Sequence, residues 1–136
     1  METLRLPAKT EFLDRLRAFV LEWLNQFAVP VQKRFEIDLV LEEVLTNIIK
    51  YAYPTGAGDV EVCCTMEGPG RFRLTVQDWG VPFNPLKCAE PGLYADVEDR
   101  KVGGLGIYLV RQMADRVCYQ QFENRNVLEV TFELNE

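Results

Sequence analysis

Three short stretches of the chain carry residues whose type and spacing suit chemistry. In LVLEEVLTNIIKYAY, residues 39–53, a helical rotation of about 100° per residue brings Glu43, Asn47 and Lys50 within about 60° of one another. A carboxylate, an amide and an ammonium then share one edge. Nearly opposite them runs an apolar stripe of Ile37, Leu41, Val44, Leu45, Ile48 and Ala52. A solvated face with an i,i+4 pair is the plainer account of that edge, and Glu42 points elsewhere as ordinary surface. In RFRLTVQD, residues 71–78, strict alternation puts Phe72, Leu74, Val76 and Asp78 on one face, so a carboxylate ends an apolar row. A buried carboxylate is costly unless satisfied. It either accepts from backbone amides of the next turn or awaits a donor on a ligand, and Gly80 would let a ring approach the backbone. In VGGLGIYLVRQMAD, residues 102–115, Gly103, Gly104 and Gly106 lead into an amphipathic helix. Free N–H groups at a helix start suit phosphate, and glycines let it come close; they serve equally as hinges. No G-K-[ST] follows, so this is not a Walker loop. No strand immediately precedes it, so it is not a dinucleotide fingerprint.

These groups need elements to hold them. Residues 2–7 read as a short leading strand. Apolar positions 12, 13, 16, 19, 20, 23, 24 and 27 mark a first helix, stopped by Val29-Pro30. A second helix runs from about Gln32 to Tyr53, with Pro54 and Gly56 beyond it. Two alternating strands joined at Gly68-Pro69-Gly70 form a hairpin. A segment rich in Pro, Gly and charge spans 80–102, followed by a helix from about Leu105 to Ala114. Strands near 117–122 and 127–134 flank the turn ENRN. The order predicts an α+β fold, a two-layer α/β sandwich whose mixed, mostly antiparallel sheet is covered on one face by helices. The long segment before the third helix has the length of a lid or binding loop.

Composition narrows the classes. The 136 residues suit one domain, residues 1–136, with 48% hydrophobic and 26% charged residues. The net charge of −6 argues against a nucleic-acid binder, which needs a basic surface. There is no His, so none serves catalysis or a metal. Cys63, Cys64, Cys88 and Cys118 form no C-x-x-C pair and read as reduced thiols. METLRLPAKT has no run of signal-peptide length, and no segment is apolar enough to span a membrane. A cytoplasmic protein is the expectation.

Taken together, EVLTN at 43–47, DWGVP at 78–82 and GGLG at 103–106 resemble the N, G1 and G2 boxes of the GHKL ATPase superfamily, in the family's order and with a lid-like segment between the second and third. The resemblance covers about residues 30–134 and implies the Bergerat ATP-binding fold. The phrases EEVLTNIIKYAYP and GGLGIYLVRQMAD, with the leading strand and helix, look like the stand-alone branch of anti-sigma-factor serine/threonine kinases.

That resemblance implies roles. Asp78 matches the Asp that accepts from the adenine amino group, and Gly80 the Gly that leaves room beside the ring. Asn47 matches the Asn that coordinates Mg²⁺, and Glu43 the general base that takes a proton from an attacking serine hydroxyl. Lys50 lies where related histidine kinases place a Lys near the phosphates. Tyr51 belongs either to the adenine pocket or to core packing. Gly103, Gly104, Leu105 and Gly106 would cradle ATP phosphates, Pro82 and Phe83 would shape the exit from the pocket, and 86–102 would form the lid, keeping water from the reaction. The chain departs from the pattern in lacking the His that members often carry near 50–51, and in its acidic lid. Where many members have Gly-Thr before the last strand, it has Arg125-Asn126-Val127. Asn126 shares the parity of Leu128 and Val130, which would put it in the pocket; a place in the hairpin turn is the preferred expectation.

The implied function is an ATP-dependent protein-serine/threonine kinase. It would phosphorylate an anti-sigma-factor antagonist and also hold a sigma factor or similar target, usually as a homodimer. The alternative is an ATP-dependent protein-binding switch without transfer; Glu43 favours the kinase, since binding alone needs no base. A catalytic domain cut from a histidine kinase fits less well, because the first helix is complete and no dimerisation helix with a phospho-accepting His is present.

Overall fold

A computed structural model describes residues 1–82 and 105–134, with backbone alone for 105–108. Cys88, the 86–102 lid and the glycines at 103 and 104 lie outside the described residues. The chain begins with β1 (Glu2–Pro7), passes a 3₁₀ turn at Thr10–Phe12, and enters α1 (Leu13–Leu24) and α2 (Val31–Tyr51). The hairpin β2 (Asp59–Glu67) and β3 (Arg71–Asp78) follows, then α3 (Leu105–Met113) and a second hairpin, β4 (Arg116–Phe122) and β5 (Arg125–Glu133). The five strands lie in the order β1-β2-β3-β5-β4.

Every strand pairing among the described residues is antiparallel, so the parallel component allowed by a mixed sheet is not found there. The reason lies in the connections. Hairpins reverse direction at each turn. Between β1 and β2 two helices are inserted rather than one, so the chain runs back before it re-enters the sheet.

Periodicity explains the layers. Val60, Val62 and Cys64 of β2, Phe72, Leu74 and Val76 of β3, and Leu128, Val130 and Phe132 of β5 alternate onto one buried face. Against that face pack Leu16, Val20 and Leu24 of α1, spaced at one helical turn, and Ile37, Val40, Leu41, Val44 and Leu45 of α2. Phe72 and Phe132 stack with ring centroids 6.2 Å apart, and Trp23 of α1 lies 5.8 Å from Phe72. Arg17 of α1 forks onto both oxygens of Asp38 in α2, at 2.9 Å each, fixing the two helices side by side.

Element ends differ from the sequence expectation for identifiable reasons. The second helix stops at Tyr51 rather than Tyr53, and Val81 N–H, beyond β3, takes the Ala52 carbonyl at 2.9 Å. A carbonyl left over at a helix end is thereby satisfied by the end of a neighbouring strand. The last hairpin turns on Glu123 and Asn124 alone, with Glu123 in the left-handed region at φ 49°, so β5 starts at Arg125. Asn126 is therefore a strand residue and not a turn residue. Its backbone register sets it opposite Asp78.

Candidate functional site

Asn47, Asp78 and Asn126 are the buried polar side chains among the described residues, at 8%, 5% and 5% exposure. All three line the same cavity. Polar groups are costly to bury, so three at one point mark a place where structure is held for something other than stability. The walls between them are Val44 and Ile48 of α2, Ala52 at its end, Val76 of β3, Val81 and Leu128, with Tyr119 of β4 at the side. The empty space, counted out to the solvent at the mouth, is about 470 Å³. An apolar cleft with a few convergent polar groups suits a small flat ligand.

Asp78 ends the buried row of β3, as its parity predicts. Its Oδ1 accepts from Gly80 N–H at 2.9 Å and from Asn126 Nδ2 at 2.9 Å. Among the described residues no donor reaches Oδ2. Burial pushes the Asp78 carboxyl above the ordinary carboxylate range, while the hydrogen bonds from Asn126 and Gly80 pull it down. The sequence left two accounts of this carboxylate, backbone amides or a ligand; Oδ1 takes a backbone amide and the Asn126 amide, and Oδ2 has no donor among the described residues beside the cavity that Asp78 lines.

Asn126 is the cavity residue that the preferred sequence expectation misplaced. Its Nδ2 donates to Asp78 Oδ1 and to the Val81 carbonyl at 3.0 Å, with a weaker approach to the Gly80 carbonyl at 3.4 Å. Its Oδ1 accepts from the Tyr119 hydroxyl at 2.5 Å. Strand parity with Leu128 and Val130 was the usable signal. Tyr119 had no sequence signal, because only the register of β4 against β5, which sets it opposite Leu128, brings it there.

Asn47 lies nearer the core than an edge with Glu43 and Lys50 would suggest. Val40 is buried as well, which widens the covered arc of α2 toward Asn47. Asn47 Nδ2 is buried with no hydrogen-bond partner among the described residues. An orphaned buried donor costs on the order of 1–3 kcal/mol, which a ligand would relieve. Glu43, one helical turn earlier, is half-buried, and Lys50 is exposed. Neither lines the cavity, and neither does Tyr51, which is half-buried. Pro82 is exposed just past Val81. Leu105 and Gly106 open α3.

Gly80 has a more immediate reason than room for a ring. A Cβ there would lie 2.2 Å from the Ala52 carbonyl oxygen and 2.6 Å from its carbon. The strand end is thus pressed against the end of α2, held also by Trp79 N–H donating to the Tyr53 hydroxyl at 2.9 Å. Gly80→Ala should separate these two backbones, cost about 2 kcal/mol or more and lower the thermal midpoint, as read by circular dichroism. An unshifted midpoint would show that the contact yields freely.

Comparison with known proteins agrees with this fold. A family model described as a histidine kinase-like ATPase domain matches residues 6–132. The serine/threonine-protein kinase BtrW of Bordetella bronchiseptica is 26% identical over 115 residues, covering 82% of this chain and 81% of that protein. The serine-protein kinase RsbW of Listeria monocytogenes is 28% identical over 122 residues, covering 85% and 76%. The anti-sigma F factor of Clostridium acetobutylicum is 22% identical over 114 residues, covering 84% and 79%. Among solved structures, the RsbU and RsbW domains of Rv1364c from Mycobacterium tuberculosis align with a TM-score of 0.66 at 16% identity, over 98% of this chain and 33% of that one. The catalytic domain of histidine kinase ThkA aligns at 0.59 and 12% identity, over 98% of each chain. Both share the fold. No helix among the described residues is long and apolar enough to cross a membrane.

Proposed function

Since the chain belongs to the histidine kinase-like ATPase domain family, we propose that it is an ATP-dependent protein-serine kinase of the anti-sigma type, acting on an antagonist protein and holding a sigma factor or similar target. The observation that carries the ATP site is the cavity lined by both Asp78 and Asn47, whose Nδ2 has no partner among the described residues, with apolar walls between them. Adenine fits its requirements: a flat apolar ring for Val76, Val81 and Leu128, and an amino group to donate to Asp78.

Asn47 sits on the α2 side of the cavity, where its amide would meet the polar part of the nucleotide. The two ends of a side-chain amide exchange by a half-turn, so Asn47 can offer its oxygen to a cation as readily as its nitrogen to a phosphate. Among the described residues no group of three acidic, Cys or His side chains could hold a metal alone. That donor set fits Mg²⁺, which takes one or two protein oxygens and completes its shell with phosphate and water. When bound, Mg²⁺ would offset phosphate charge. Glu43, a turn before Asn47 on α2, is the base of the proposal. It takes the proton of the partner's serine hydroxyl as the serine oxygen bonds to the γ-phosphorus. The bond from that phosphorus to the β,γ-bridging oxygen breaks, and ADP leaves.

A pH dependence follows from Asp78. The ligand's amino group favours the ionised carboxylate, so ATP affinity should be full above the raised Asp78 pKa and fall as pH drops through it. Titration calorimetry from neutral pH downward should show a steeper fall in the parent protein than in Asp78→Asn. An affinity flat with pH would remove Asp78 from the contact.

The function itself is tested by incubating the protein with γ-labelled ATP, Mg²⁺ and candidate antagonist proteins. Label on a partner serine establishes the kinase. ATP-dependent partner binding without label would instead favour a switch, the second reading, which leaves Glu43 without a task.

A further inference from the structure

Asp78 presents a carboxylate of which only one oxygen is open. Oδ1 already holds two donors, Gly80 N–H and Asn126 Nδ2, both at 2.9 Å. The Asn126 amide cannot readily turn away. Its nitrogen faces carbonyls at Val81 and Gly80 as well as Asp78, and its oxygen faces the Tyr119 hydroxyl. A half-turn would set oxygen against three acceptors and nitrogen against a hydroxyl that is donating. Four hydrogen bonds therefore fix one amide, and through it one carboxylate oxygen.

We propose that Asn126, oriented by Tyr119, sets the purine specificity of the pocket by occupying Asp78 Oδ1, so that the carboxylate offers a single acceptor to the base. This inference rests on the nucleotide reading of the cavity. Adenine brings one exocyclic amino group, and one acceptor satisfies it. Guanine brings two donors side by side, its N1–H and its N2 amino group, which pair best with both oxygens of a carboxylate. With Oδ1 spent, guanine must bury one of its donors unpaired or displace Asn126, and either is costly. Asn126 is a positioning residue in this scheme. All of its polar capacity is turned to the protein, and it acts on the base through Asp78.

The experiment compares affinities for ADP and GDP with Mg²⁺ by titration calorimetry, since neither is consumed. The parent protein should prefer ADP. Asn126→Ala leaves Oδ1 with Gly80 N–H alone, opening its second acceptor position, and should lower the ADP:GDP preference at least about tenfold, equivalent to about 1.4 kcal/mol, chiefly by tighter binding of GDP. Asn126→Thr retains a hydroxyl that can donate to Oδ1 and should restore the preference, which a role in packing alone would not do. Tyr119→Phe releases one tether of the amide and should lower the preference about threefold. It carries the test if Asn126→Ala does not fold. An unchanged ratio in the folded variant overturns the role of Asn126 and leaves the nucleotide pocket standing. A parent protein that binds neither diphosphate overturns the pocket reading itself and this inference with it.

Discussion

Asp78→Asn should lower ATP affinity by about a hundredfold or more while leaving the free protein at least as stable as before. The first half follows from the hydrogen bonds around the side chain. Gly80 N–H and Asn126 Nδ2 both donate toward the position of Oδ1. They will claim the oxygen of the new amide, and its NH₂ must then face the cavity. The adenine amino group would meet a donor where it needs an acceptor, and the negative charge is lost as well. The second half follows from burial. The Asp78 carboxyl is held above its ordinary range chiefly by desolvation. The folded chain thus binds this proton more readily than the unfolded chain. Stability from this group is fully present below the ordinary carboxylate pKa and is lost as pH rises through the raised one. Above that raised pKa the parent protein therefore carries a buried charge that the variant does not. Calorimetry and thermal unfolding of the two proteins should move in opposite directions. Lost stability together with full ATP affinity would overturn the assignment.

Glu43→Gln should slow phosphoryl transfer by about 10²–10⁴-fold and leave ATP affinity close to that of the parent. Glu43 is half-buried on α2 and does not line the cavity that holds Asp78. Its loss therefore removes no wall from the base pocket. A glutamine keeps the size of the side chain and cannot accept the serine proton. Single-turnover transfer to an antagonist protein, beside calorimetry with ATP, separates the two effects. Transfer at the parent rate would remove Glu43 as the base; lost affinity would make it a binding residue instead.

On the proposed reading, the two experiments address different ends of one nucleotide. Asp78 and Asn126 lie at the paired ends of β3 and β5, where they cross the end of α2. Asn47 and Glu43 lie further back along α2, one turn apart. A nucleotide stretched between them would meet base recognition at the sheet and phosphate chemistry along the helix. Gly80 and Val81 join the two ends, because their backbone rests on the Ala52 carbonyl. The proposed base contact would thus depend on the packing of a helix end.

Much of this was legible in the chain. Alternation in RFRLTVQD placed Asp78 at the end of a buried row, and strand parity depends only on neighbouring residues. The α1 and α2 stripes, the two hairpins and the order of helices and strands came from the same short-range patterns. Less was legible where two segments meet. The apolar stripe of α2 leaves Asn47 on the far edge, but the buried arc extends to Val40, because α1 and α3 pack against α2 beside the sheet. Asn126 seemed to belong to a turn. A two-residue turn with Glu123 in the left-handed region extended β5 and carried Asn126 into the pocket.

Which residues could end in the interior follows from the order of residues alone, since periodicity is a property of consecutive positions. That order marks Asp78 as the buried carboxylate, and it sets the succession of the polar groups along the chain. Tertiary structure alone decided what that carboxylate holds. The Tyr119–Asn126–Asp78 chain joins β3, β4 and β5, and residues 48 positions apart in the chain meet in it. Such contacts depend on strand register, and a shift by one residue would turn every side chain to the other face. Only the assembled sheet fixes that register, and with it the one carboxylate oxygen left open to a ligand.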